Sequence, residues 1–151
     1  MIALAIVAIL GGLGAAGYGS VSGRTRATAE ASNLLNAVEL MRSEAIKRGR
    51  RVTLAPEGGN WAGGWSLFVD ANNNRALDPG EPLILRHGPL NSSTRVIVDT
   101  TPGYIAFGYD GIPRQYGGGF LAATVAFCDA GSSGSIVIAK SGRPRAVAGK
   151  C

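Results

Sequence analysis

The sequence predicts an α+β fold in which one long N-terminal α-helix packs on an antiparallel β-sheet domain. Three observations carry this prediction. No charged residue precedes Arg24, apolar residues between Arg24 and Arg48 recur at alternating steps of four and three, and short strand-like segments follow Gly49. Such steps place residues on one face of a helix. With 46% hydrophobic and 17% charged residues among 151, the composition suits one domain and excludes a charge-rich disordered chain.

The first 23 residues carry no charge, and residues 1–16 are all apolar or glycine. As a helix, residues 1–16 would extend about 24 Å, which is less than the ~30 Å hydrocarbon layer of a bilayer. A cleavable signal peptide is one interpretation, although such peptides begin with basic residues and this segment has none. The other interpretation is one long helix that continues past residue 23, with its glycines as the least stable part.

Residues 24–48 predict an amphipathic helix with a narrow apolar face. Gly49 follows as a C-cap, since glycine readily adopts the left-handed conformation that ends helices. We therefore divide the chain into a hydrophobic helix segment at 1–23 and a globular domain at 24–151, with the helix at 24–48 and the β region at 50–151. The residues of the apolar face, which we expect to be buried, are Ala27, Ala31, Leu34, Val38, Met41 and Ala45.

The region after Gly49 predicts an antiparallel β domain. Short runs rich in β-branched and aromatic residues alternate there with clusters of Gly, Pro and Asn, which favour turns. The predicted strands are Val52–Leu54, Trp65–Val69, Leu83–Leu85, Arg95–Val98, Tyr104–Phe107, Phe120–Phe127, Ser135–Ile138 and Arg145–Val147.

The segment 70–81 has the spacing of a calcium-binding loop. Position 6 of such a loop requires glycine for a sharp turn, but here it is Arg75, whose charge also repels a cation. The alternative is a hairpin loop whose Asp and Asn side chains bind the loop's own backbone, and we expect no strong calcium dependence. Oxygen-bearing side chains occupy positions 1, 3, 5, 9 and 12, namely Asp70, Asn72, Asn74, Asp78 and Glu81.

Cys128 and Cys151 are the only cysteines, and His87 is the only histidine. A zinc site needs three or four ligands, so a disulfide is the better interpretation for an exported chain, whereas an intracellular chain would carry two free thiols. The sequence contains no nucleophile elbow, phosphate-binding loop or His-Glu metal motif, and one histidine leaves little for acid–base chemistry. We therefore predict no catalytic residues and no cofactor.

The C-terminal 22 residues are basic. They contain no acidic residue from Ala130 onward but carry Lys140, Arg143, Arg145 and Lys150. Such a cluster predicts either contact with phosphates, without reading of bases, or a solvated turn. Pro144 fixes its own φ and stiffens the segment, and Arg143 and Arg145 would share one face if the chain is extended there.

Four motifs together resemble the type IV pilin family, in particular its minor pilins and pseudopilins of the FimT, FimU and GspH type. The resemblance covers nearly the whole chain. It implies an N-terminal helix that packs against other pilins, an inner-membrane location with a periplasmic C-terminal domain before assembly, and a pilus-surface location afterwards. The motifs are Met1–Leu10, Leu40–Gly49, Gly64–Asn72 and Ser141–Arg143.

The resemblance also carries expectations about the two ends of the chain. The family's Phe-Thr-Leu start, its glutamate and its basic leader would precede Met1, which implies either a misassigned start codon or a truncated N-terminus. At the other end, residues 142–145 look like the Gly-Arg-Xaa-Arg DNA-contact motif of FimT-type competence pilins. This implies that Gly142, Arg143 and Arg145 contact double-stranded DNA for uptake, and we add Lys140 and Lys150 to these residues because of their charge. The alternative is a GspH-type pseudopilin of type II secretion without DNA binding.

Overall fold

A computed structural model describes residues 2–99 and 103–151, with only the backbone described for residues 2–20. One helix, α1, spans Ile2–Arg48 without interruption, as the long-helix interpretation predicts. Within the described residues, no helix is both long and apolar enough to cross a membrane. The expectations about Met1 lie outside these residues, and the division between residues 23 and 24 stays a prediction because the helix is continuous there.

Helix α1 ends at the predicted glycine cap. Gly49 has a φ of +60°, the left-handed region that favours glycine. Its N–H donates to the carbonyl of Ile46, and the N–H of Arg50 donates to the carbonyl of Ala45. These two bonds form a Schellman motif, which satisfies carbonyls that the end of a helix otherwise leaves unpaired.

In the described part of the chain, eight strands form two four-stranded sheets in which all neighbouring strands are antiparallel. Each predicted strand overlaps one of them. Sheet A has the order β3-β2-β1-β5, and sheet B has the order β4-β6-β7-β8. The strands are β1 Val52–Pro56, β2 Trp65–Val69, β3 Leu83–His87, β4 Arg95–Asp99, β5 Ile105–Phe107, β6 Ala123–Asp129, β7 Ser132–Ile138 and β8 Pro144–Lys150.

The core lies between the apolar face of α1 and the two sheets. All six residues predicted for that face are buried, each 2% exposed or less. The sheets contribute large side chains, among them Trp65, Phe107 and Phe127. Helix and sheet B approach closely at Gly134 of β7, where an added Cβ would lie 2.5 Å from the carbonyl oxygen of Ala27. The α+β architecture predicted from the sequence is therefore confirmed.

A buried carboxylate fastens α1 to the end of β6. Asp129 is 4% exposed, and its Oδ2 accepts hydrogen bonds from Arg26 Nε at 2.9 Å and from the hydroxyls of Ser93 and Thr94 at 2.7 and 3.1 Å. These bonds lower the pKa of Asp129 to about 2, and the bond from Arg26 has the largest effect. The carboxylate is therefore ionised at neutral pH and holds helix, loop and strand together.

Candidate nucleic-acid interface

The segment 139–145, here called the basic turn, joins β7 to β8. The N–H of Gly142 donates to the carbonyl of Ala139 at 2.8 Å, and the N–H of Ala139 donates to the carbonyl of Arg143 at 3.4 Å. Gly142 has a φ of +77°. A tight turn closed by a left-handed glycine is typical of short hairpin connections. Lys140 and Ser141 therefore project at the tip of the hairpin, where both are exposed.

Gly142 seats the basic turn against the segment 107–113. It is buried, and an added Cβ would lie 2.9 Å from the carbonyl oxygen of Gly111 and 3.0 Å from Phe107 Cε1. From α1, Arg42 Nη1 donates to the carbonyl of Gly142 at 3.4 Å. Gly142, which the sequence analysis grouped with the DNA-contact residues, thus acts on the backbone conformation of the turn.

Three of the predicted cations lie together on this turn. Lys140, Arg143 and Arg145 are all exposed. Arg145 stands opposite Val137 in the β7–β8 register, on the face away from buried Ile138. Among the residues that the structure describes, no carboxylate forms an ion pair with any of the three. Their charges are therefore free to meet an anion from solvent.

Lys150 does not join this group. It is the last residue of β8 and stands opposite Ser132, whereas Pro144 at the turn stands opposite Ile138. Six residues of strand separate the two ends by about 20 Å. Lys150 instead lines a surface depression with Arg24 of α1. The single basic tail of the sequence is thus two separate basic regions in the structure.

The loop 70–81 is held by its own hydrogen bonds and by the sheet. Asp70 is 2% exposed, and its carboxylate accepts hydrogen bonds from the N–H groups of Asn74 and Arg75 at 3.1 and 3.0 Å. The hydroxyls of Tyr116 and Thr53 donate to the same carboxylate. Burial, followed by the bond to Asp70, raises the pKa of Tyr116 well above its usual range, so the phenol stays a donor.

The other oxygen-bearing side chains of the loop are engaged in the same way. Asn72 and Asn74 both donate to Asp78 Oδ2, at 2.7 and 2.6 Å. Glu81 accepts from the N–H groups of Ala71 and Asp78, at 2.8 and 3.1 Å. Within the described residues, no three or more His, Cys, Asp or Glu side chains are arranged to hold a metal ion. The hydrogen bonds agree with the hairpin-loop alternative.

Arg75, at the loop position that calcium-binding loops reserve for glycine, adopts a φ of +73°. Its guanidinium lies 5.7 Å from the ring centre of Tyr116 and 5.8 Å from that of Tyr104. These cation–π contacts hold the side chain on the aromatic pair and keep a positive charge beside the loop.

We expect millimolar Ca²⁺ to leave the melting temperature of the protein unchanged, because the loop oxygens already accept hydrogen bonds and Arg75 opposes a cation. Thermal unfolding with Ca²⁺, with Mg²⁺ and with chelator measures this. A rise of several degrees that is specific to Ca²⁺ and absent from Asp78→Ala would contradict the prediction. Asp78 is the better test position, since Asp70 also anchors the loop to Tyr116 and Thr53.

Cys128 and Cys151 are joined by a disulfide, as predicted for an exported chain. Cys128 lies in β6, and Cys151 follows the last residue of β8. The N–H of Cys151 also donates to the carbonyl of Gly131 at 3.2 Å. The bond therefore ties the C-terminus across β7 to the middle of sheet B, at the end opposite the basic turn.

A long N-terminal helix whose C-terminal half packs on antiparallel sheets defines the class of pilin-like filament subunits. Two solved structures share the fold. The Pseudomonas aeruginosa type IV minor pilin FimU superposes with a TM-score of 0.65 at 19% identity, over 81% of this chain and 88% of that one. The minor pseudopilin EpsH of the Vibrio cholerae type 2 secretion system superposes with a TM-score of 0.59 at 11% identity, over 82% and 97%.

Sequence comparison identifies the family. The model of the type II transport protein GspH matches residues 30–142. The pilin-like protein PilA1 of Thermus thermophilus is 34% identical over 122 residues, which cover 76% of this chain and 74% of that protein. The chain therefore belongs to the GspH family and is a structural subunit of the minor pilin and pseudopilin kind, as the sequence resemblance implies.

Proposed function

We propose that this subunit binds double-stranded DNA through the basic turn, as a minor type IV pilin that takes part in DNA uptake during natural transformation. The observation that carries the proposal is the turn itself. Lys140, Arg143 and Arg145 are exposed there together, on a backbone held by Arg42 of α1 and by the segment 107–113, and no described carboxylate pairs with them.

The chemistry of these side chains suits phosphates and does not suit base reading. Arg and Lys that reach phosphate oxygens neutralise charge and release counterions, which gives affinity without sequence information. Gly142 and Pro144 restrict the backbone between the cations, so less conformational freedom is lost when they bind. The net charge of +5 favours approach to a polyanion.

The proposal includes a location and partners. The subunit is anchored in the inner membrane through its N-terminal segment, with residues 24–151 in the periplasm. It then packs against other pilins through α1 in the pilus tip or its assembly complex. Family membership supports this location, and so does the disulfide, since disulfides persist in oxidising compartments.

Replacing Arg143 and Arg145 together by Gln is expected to weaken duplex binding and its salt dependence. The logarithm of the binding constant falls by about 0.9 per tenfold rise in salt for each phosphate neutralised, so the slope should decrease by up to about 1.8. Fluorescence anisotropy of the full chain in nonionic detergent, with two duplexes of unrelated sequence at several salt concentrations, measures this.

Arg24→Gln/Arg95→Gln is the matched control. It removes the same charge from two exposed residues at the other end of the molecule: Arg24 lies near Lys150, and Arg95 stands opposite Cys128. The proposal requires the control to keep most of the salt slope. Equal binding by Arg143→Gln/Arg145→Gln and wild type would leave the basic turn as a solvated hairpin and the subunit with a purely structural role, as in the pseudopilin alternative.

A further inference from the structure

A second set of cations surrounds a groove beside the basic turn. The groove has a volume of about 290 Å³ and opens between the residues that follow α1 and the turn 108–114. Three arginines line it, and Asp110 is the one carboxylate among its lining residues. The arginines are Arg50, Arg51 and Arg114.

Each cation of the groove has a different local setting. Arg114 is ion-paired with Asp110 at 2.7 Å, and this pairing lowers the pKa of Asp110, so the two charges cancel. Arg51 lies over the ring of Tyr116, 4.6 Å from its centre, and keeps its charge. Arg50 is exposed and has no ion-pair partner among the described residues. Arg50 and Arg51 are therefore the two arginines of the groove that form no ion pair with a described carboxylate.

Helix termination does not account for Arg50. Cations in the last turn of a helix interact favourably with its C-terminal carbonyls, and Lys47 and Arg48 occupy that turn of α1. Both also pair with Glu44. Arg50 lies beyond the cap, and its N–H has already completed the Schellman motif with Ala45. Its side chain is not needed to end the helix.

The groove and the basic turn share one segment of chain. Gly142 packs on Gly111 and Phe107, and Gly108 and Asp110 of the same segment line the groove. Asp110 and Gly111 are consecutive residues, so their Cα atoms lie about 3.8 Å apart, and each strand of a duplex carries a phosphate for every ~3.4 Å of helix axis. We infer that the groove binds a second backbone phosphate of the duplex held by the basic turn, with Arg50 as its principal contact and Arg51 beside it. This inference rests on the proposed function.

Arg50→Gln tests the inference by the same anisotropy titration on the full chain in detergent. The salt slope should fall by about 0.9, one contact's worth, while Arg50→Lys keeps the slope because it keeps the charge. In the Arg143→Gln/Arg145→Gln background, Arg50→Gln should lower the remaining slope further. The melting temperature should not change, since the side chain is exposed and unpaired. Arg95→Gln is the single-charge control.

The outcomes separate the two proposals. If Arg50→Gln behaves like Arg95→Gln while Arg143→Gln/Arg145→Gln loses slope, the groove is overturned and the basic turn stands. If only Arg50→Gln loses slope, the basic turn is overturned, and so is the inference of a second phosphate beside it, because the groove would then hold the duplex without the turn. Absence of duplex binding by the full chain overturns both. Polyglutamate that displaces the duplex at equal charge concentration, with the same dependence on Arg50, would overturn the inference in favour of an acidic protein partner.

Discussion

Replacing Gly134 by Val is expected to lower the free energy of unfolding by about 3 kcal/mol, because it overpacks the closest contact between helix and sheet. An added Cβ at this position would lie 2.5 Å from the carbonyl oxygen of Ala27 and 3.0 Å from Ala31 Cβ. The first of these is a backbone atom of α1, which cannot rotate away. Accommodation would require α1 to move off β7, and that would loosen the buried face of the helix.

Chemical denaturation of Gly134→Val against wild type measures this loss as a lower transition midpoint at an unchanged slope. Gly117→Ala is the control. A Cβ added at Gly117 would meet no atom within 4 Å, and the φ of Gly117 is not positive. The free energy of unfolding of the Gly117→Ala protein should therefore change little. A Gly134→Val protein as stable as wild type would mean that α1 and β7 are not packed as described.

Local sequence patterns predicted the elements of this fold but not their arrangement. The apolar residues of α1, its cap at Gly49 and the eight strands each follow from signals within a few residues. The order of the sheets does not, because β1 pairs with β5 and β4 pairs with β6 across long stretches of chain. Such pairings depend on which faces are buried together, and a single sequence does not state this.

The start of β6 shows why a strand boundary is hard to predict from the sequence. The sequence pattern predicts that β6 begins at Phe120, but the strand begins at Ala123. Phe120 is 57% exposed, forms an isolated bridge with Arg114 and lies under its guanidinium at 5.7 Å. In the sequence, an exposed aromatic residue next to an apolar run has the same pattern as a strand residue. The contact of Phe120 with Arg114 is what shows that Phe120 lies outside the strand.

The candidate interface was partly readable from the sequence. The basic turn was found because its residues are contiguous. The separation of Lys150 from it was not foreseen, because closeness in sequence does not show that β8 is extended between them. Arg42 and Arg114 were missed because they come from separate segments. Arg50 and Arg51 had a local signal that was not used: they complete the basic run Lys-Arg-Gly-Arg-Arg at residues 47–51.

The disulfide is expected to contribute about 3 kcal/mol to stability, so Cys128→Ser/Cys151→Ser should lower the free energy of unfolding by that amount. The two cysteines are 23 residues apart, and linking them removes freedom mainly from the unfolded chain. In the folded state, β8 is an edge strand with mostly exposed residues, so its free C-terminal end should fray first.

Denaturation of the double variant, and of wild type with and without reductant, measures the stability change. Amide exchange should accelerate at Val147 and Gly149, whose N–H groups face β7, while Arg145 near the basic turn stays protected. DNA affinity should change little, because Gly142 and Arg42 fix the basic turn independently of the disulfide. An unchanged midpoint, or alkylation of both thiols in periplasmic protein without reductant, would contradict the prediction. A parallel loss of affinity would show instead that the basic turn depends on the covalent link at the far end of its strand.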